Sequence, residues 1–230
     1  MTIKKKEVVR DYTFSDGFLV QRTDKVIGDA TRDSSELIPE GVTALRLTTL
    51  GNNRDTFDAM KDDEEWEGEV SEKAEGRDAA ATVCELAVNS IRTKAQNVWG
   101  EKKAKYRSFG FDGINELPDE QRIKAYRRVH RRATLNLLAL APEGLTPLIL
   151  TNFNTANGTY DNAIDELNDK ISDRDIATED RRELGNLIYA EDVKICNTGK
   201  NYWLDKDEAK YNDYVIYNTP SGAPEAPLPV

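Results

Sequence analysis

The sequence predicts an all-α protein made of two tandem three-helix-bundle repeats, an internal duplication with short extended segments after each third helix. The prediction stands on a self-similar segment of about a hundred residues, on apolar positions recurring at helical intervals, and on stop and start residues placed alike in both copies.

Pro39-Glu40-Gly41-Val42-Thr43-Ala44-Leu45-Arg46-Leu47-Thr48 recurs as Pro142-Glu143-Gly144-Leu145-Thr146-Pro147-Leu148-Ile149-Leu150-Thr151. At the same offset Thr56-Phe57-Asp58 meets Thr159-Tyr160-Asp161, and upstream Phe14, Asp16, Val26, Ala30 and Leu37 meet Leu117, Asp119, Val129, Ala133 and Leu140. The offset then grows by one residue, so that Arg77, Val83, Ile91 and Trp99 match Arg181, Leu187, Ile195 and Trp203. A further insertion aligns Ala104-Lys105-Tyr106 with Ala209-Lys210-Tyr211. A collinear match of this length points to duplication.

The first helix is expected over residues 15–36 and again over 118–141, where Ile123, Tyr126, Ala133, Leu137 and Leu140 recur at helical spacing. Pro118 suits a first turn, where a missing N–H costs nothing. Gly41 and Gly144 close each first helix with a left-handed residue. Thr43 and Thr146 are the natural N-caps of the second helix, and Pro147 follows where a helix tolerates it. Leu145, Leu148, Phe153, Ala156, Tyr160, Ile164, Leu167 and Ile171 trace its apolar stripe in the second copy, interrupted by Gly158 at a cost of about 1 kcal/mol relative to alanine. The third helix is expected over 71–98 and 175–198, ending near Trp99 and Trp203, which are placed to cap each bundle's core with the indole N–H partnered.

Beyond each tryptophan, residues 107–111 and 213–217 alternate polar with aromatic or branched side chains, as extended chain does, and 3–9 could pair with them. Short connections favour antiparallel neighbours, so each copy should be an up-down-up bundle. The expected domains are residues 1–112, the first repeat with an N-terminal extended arm, and 113–218, the second repeat; 219–230 is a proline-rich tail.

With 38% hydrophobic and 32% charged residues, the chain sits on the polar side of globular, as thin amphipathic bundles do. Its formal net charge of -10 repels polyanions, so no nucleic-acid partner is expected. No apolar run is long enough for a bilayer, and the basic Met1–Arg10 start lacks the apolar stretch of a Sec signal. Cys84 and Cys196 show no CxxC spacing and read as buried, reduced thiols of an intracellular protein, their pairing left open.

No catalytic constellation is legible. His130, alone among arginines, offers neither a triad nor converging metal ligands and reads as a helix-surface or boundary residue. Asp161, Asp165 and Asp169 share a helix face without the ligand order of a calcium loop, so neither metal nor cofactor is expected. Arg127, Arg128, Arg131 and Arg132 place four guanidinium groups on adjoining strips of one helix. Like charges repel at that spacing, so an anion should lie nearby, either an acidic flank of the same bundle or another subunit. Asp62, Asp63, Glu64, Glu65 and Trp66 open the most acidic run, expected in the bend between second and third helices as a solvated loop or as the neighbour's half of a head-to-tail contact.

Taken together, these features point to a non-enzymatic structural or self-assembly protein, a component of a filament, layer or virus-like particle. Its expected partners are copies of itself or other particle proteins, in an intracellular or virion-associated setting without membrane insertion. The alternative is an intracellular helical adaptor for a peptide or small ligand.

Overall fold

The computed structural model describes residues 8–216, and among them there are helices and turns but no strand. The helices are α1 (Asp16–Arg32), α2 (Ser34–Leu37), α3 (Ala44–Asp58), α4 (Asp63–Trp99), α5 (Ala104–Arg107), α6 (Asp119–Leu135), α7 (Leu137–Leu140), α8 (Pro147–Trp203) and α9 (Glu208–Asp213). The expected N-terminal arm before residue 8 and the proline-rich tail lie outside the described residues. Among those described, no helix is long and apolar enough to cross a membrane.

Local chemistry sets the helix ends. Ser15 accepts from the Phe18 amide to start α1. Thr43 accepts from the Arg46 amide and Thr146 from the Ile149 amide, the expected caps of α3 and α8. Gly41 and Gly144 take φ of +90° and +83°, the left-handed turn their sequence context requires. Pro118 sits one position earlier than expected, as the cap residue before α6.

The expected first helix is interrupted in both copies, at Asp33 and at Asn136, whose φ/ψ of -95°/25° and -113°/19° leave the helical basin. Short Asp and Asn side chains tolerate such a break because they bond to nearby backbone or to neighbouring groups. The Asn136 amide donates to the Arg132 carbonyl.

The third helices depart further from expectation. In the second copy no break separates second and third helices: α8 runs 57 residues, straight through Gly158. In the first copy α3 and α4 are separated only by residues 59–62. Ala59, Met60, Lys61 and Asp62 include none of the glycine, proline or asparagine residues that commonly build a tight reversing turn.

The chain accordingly divides into compact units that cut across the expected boundary at 112/113. A split unit joins the residues up to Asp62 with those from Asp175 onward, and an inner unit runs from Asp63 to Arg174. The split unit thus combines α1 and α3 with the later stretch of α8, the inner unit α4 and α6 with its earlier stretch.

In the split unit α1 buries Leu19, Thr23, Val26 and Ala30, at intervals of three and four. Leu19, Val26 and Ala30 share a core with Leu47, Leu50 and Phe57 of α3 and with Ile188, Ile195 and Cys196 of α8. Tyr12 and Tyr214 close it from outside the helices, and Gly185 leaves room for the Tyr12 and Phe57 rings.

The inner unit repeats the pattern with Ala81, Cys84, Val88, Ile91 and Ala95 of α4. Against them lie Ile123, Tyr126, Val129 and Ala133 of α6 and Leu150, Phe153 and Tyr160 of α8. Residues 63–80 and 161–174 contain no fully buried side chain. There α4 and α8 run antiparallel as a two-helix segment, with Lys73 Nζ 2.7 Å from Glu166 and Lys170 Nζ 3.0 Å from Glu69.

Neither described part of the expected extended segments is a strand. Residues 104–107 and 208–213 are short helices, and 108–113 form a turn with Gly110 and Gly113 at positive φ. Phe109, Phe111 and Ile114 enter the core, which explains the alternating pattern, but the backbone finds arginines instead of a neighbouring strand. Arg128 donates to the Phe109 and Gly110 carbonyls, and Arg92 to that of Phe111.

Candidate functional site

Helix α6 turns Ile123, Tyr126, Val129 and Ala133 into the inner core, which forces the intervening arginines outward. Their fates differ. Arg127 pairs with Asp161 of α8, Nη2 to Oδ2 at 2.5 Å, so its anion is intramolecular. Arg128 lies across Gly110 and is held by the two carbonyls at 2.9 and 3.0 Å. Arg131 and Arg132 are exposed and form no ion pair among the described residues. Just beyond them Leu135 is 76% and Leu138 92% exposed. Two unpaired guanidinium groups beside two bare leucines form a basic and apolar patch.

The acidic run lies elsewhere than expected. Asp63, Glu64 and Glu65 are the first turn of α4, not a loop. There carboxylates face the positive end of the helix dipole, each such contact worth about 0.3–1 kcal/mol. Trp66 is half-buried, with Lys170 Nζ 5.3 Å from its ring centre, and Asp62, Asp63 and Glu65 are likewise engaged within the chain. Further exposed acids without an ion pair among the described residues lie on α8, at Asp165, Asp169 and Asp173, one helical turn apart.

A second surface is apolar. In the split unit an open groove of about 680 Å³ runs between α3 and α8, lined by Thr43, Leu45, Thr49, Leu187, Ala190 and Lys194. Leu45 and Leu187 are 76% and 53% exposed there. Their sequence-matched positions in the inner unit, Leu148 and Val83, are also exposed. Arg46 and Lys194 bind Glu191 beside the groove and hold its carboxyl below the usual range, the Arg46 hydrogen bond contributing most.

Among the described residues no cluster of His, Cys, Asp or Glu could hold a metal ion. Cys84 and Cys196 are free and buried, and burial pushes both thiols up to about 11. His130 is half-buried, 6.2 Å from the Phe153 ring centre. Trp203 is buried, with Lys210 Nζ 3.9 Å over its ring, but its indole N–H has no partner among the described residues, contrary to expectation. Trp99 is half-buried and carries Lys105 in the same way at 5.7 Å.

One constellation was missed by reading the sequence. Asp192, 1% exposed, accepts from the Thr23 hydroxyl at 2.7 Å inside the split unit. The signal was an acid in the stripe Ile188-Asp192-Ile195 where the first copy places Val88. Compared with family models, curated proteins and solved structures, the chain matches none.

Proposed function

We propose that this chain is a non-enzymatic structural protein that assembles with copies of itself, as a component of a filament, layer or virus-like particle. The observation that carries the reading is the patch of Arg131, Arg132, Leu135 and Leu138, charged and apolar at once and left uncovered by its own unit. Exposed leucines gain by burial, at about 25 cal/mol per Å², and unpaired arginines seek carboxylates. The strip Asp165, Asp169 and Asp173 supplies those carboxylates on a different helix of the same chain. Two unlike surfaces on one molecule favour a heterologous contact, the kind that builds rings and filaments.

The reading takes the chain as a duplication whose third helices have changed places, and it sets the protein in an intracellular or virion-associated setting. Sedimentation and light scattering at low salt test it. Reversing Arg131 and Arg132 to Glu should reduce particle size, and adding Asp165→Lys and Asp169→Lys should restore it. A strict monomer at high concentration and low salt defeats the proposal.

The groove between α3 and α8 favours a second reading, an adaptor that takes a peptide or small ligand beside Leu45 and Leu187. That reading predicts a monomer or simple dimer whose Leu45→Ser variant loses a partner.

A further inference from the structure

The α1–α8 interface of the split unit contains a carboxylate that the core does not neutralise. Thr23 and Asp192 are both buried, and the Thr23 hydroxyl donates to Asp192 Oδ2 at 2.7 Å. Asp192 Oδ1 has no hydrogen-bond partner, and no lysine or arginine pairs with the carboxylate among the described residues. The nearest cation on α1, Arg22, points Nη2 at the Cys196 sulfur, 3.6 Å away, and leaves its buried Nε unpartnered.

The other charged groups around this point are committed. Glu191, next to Asp192 on α8, is held by Arg46 of α3 and by Lys194. Lys210 of α9 is bound to Asp33. Cys196 and Lys200 lie farther along α8 and Lys25 along α1, where Lys25 pairs with Asp29 and Asp213. An ionised Asp192 therefore faces one hydroxyl and one arginine turned elsewhere.

The inner unit supplies an internal comparison. Its positions matched in sequence to Thr23 and Asp192 are Tyr126 and Val88, both fully buried. The same helix interface is thus apolar in one unit and carries a carboxyl in the other.

We propose that the Thr23–Asp192 pair makes the split unit, and not the inner unit, a proton-responsive element in which loss of the Asp192 proton loosens α1 from α8. Burying an unpaired charge is costly, whereas a protonated carboxyl hydrogen-bonded to Thr23 is not. Burial pushes the Asp192 carboxyl up to about 7, with Thr23 and Arg22 offsetting that only in part. A carboxyl raised in the folded state holds a proton that the unfolded chain has already lost. Its stabilising effect is therefore complete below about pH 4 and falls away as pH climbs through about 7. The element responds across the interval between weak acid and neutrality, independently of whether the protein assembles.

Amide hydrogen exchange on the full chain, corrected for intrinsic rates, reads this directly. Opening of α1 between Leu19 and Ala30 should be about a hundredfold more frequent at about pH 8 than at about pH 5, one decade for each pH unit below the midpoint. The α6 amides between Ile123 and Ala133 should change by less than about threefold, and Asp192→Asn should flatten the α1 response. An α1 response absent in the wild type, equal in α6, or unchanged in Asp192→Asn overturns the proposal. Should that variant fail to fold, carbon-13 titration of the wild-type carboxyl decides: a midpoint between about 6 and 8 supports it, and one below about 5 overturns it.

Discussion

The Tyr214 hydroxyl donates to the buried Asp33 carboxylate at 3.0 Å, joining the break between α1 and α2 to the segment after α9. Arg32 and Lys210 reach the same carboxylate at 2.7 and 3.0 Å. Burial alone would raise the Asp33 carboxyl, but the bonds from Arg32, Lys210 and Tyr214 outweigh it and hold the group well below the carboxylate range. The Tyr214 ring lies so close over Gly199 that a β-carbon there would collide with it.

Tyr214→Phe should cost about 1–3 kcal/mol in urea unfolding, since it strips one bond from a buried charge. Gly199→Ala should cost more, because the whole ring must move. Asp33 also gives an acid limb: a carboxyl depressed in the folded state stabilises above its unfolded value of about 4 and ceases to do so as pH falls below it. Asp33→Asn should therefore flatten the loss of stability in acid, measured as melting temperature against pH.

Arg128 and Arg131 should behave oppositely. Arg128→Ala removes two bonds to backbone carbonyls that close the inner core, so a loss of about 1–3 kcal/mol is expected in thermal unfolding. Arg131→Ala touches no such partner and should stay within about 0.5 kcal/mol.

Gly158 sits exposed within the earlier part of α8, and a β-carbon added there would meet nothing within 4 Å. Gly158→Ala should stabilise the chain by about 0.5–1 kcal/mol in denaturant titration.

Both cysteines should resist thiol reagents in the native protein, because burial leaves almost no thiolate near neutrality. Two equivalents should react promptly only in denaturant. Prompt native labelling of Cys196 would mean that α1 opens more readily than its buried contacts imply.

Local signals proved legible where a side chain acts on its own backbone. Thr43, Thr146, Gly41 and Gly144 announced their roles by type and spacing, whereas repulsion along α6 called for an acid near Arg127 without deciding between its own bundle and another subunit. The choice of partner helix was not legible. The three-and-four spacing of Cys84, Val88 and Ile91 requires burial but is silent about which helix provides it. Residues 59–62 carry no glycine or proline to mark the boundary, a weaker cue than either residue would give. Arg131, Arg132, Leu135 and Leu138 were only half visible, because exposure of a leucine depends on what the tertiary structure leaves uncovered.

The split unit takes α1 and α3 from the start of the chain and its third helical stretch from residues after Asp175. During synthesis α1 and α3 leave the ribosome with only each other to pack against, while every segment of the inner unit is translated before that late stretch arrives. Folding on the ribosome is consequently expected to be ordered: residues 63–174 can mature first, and α1 and α3 wait for their last core partners until Ile188 and Ile195 have been made.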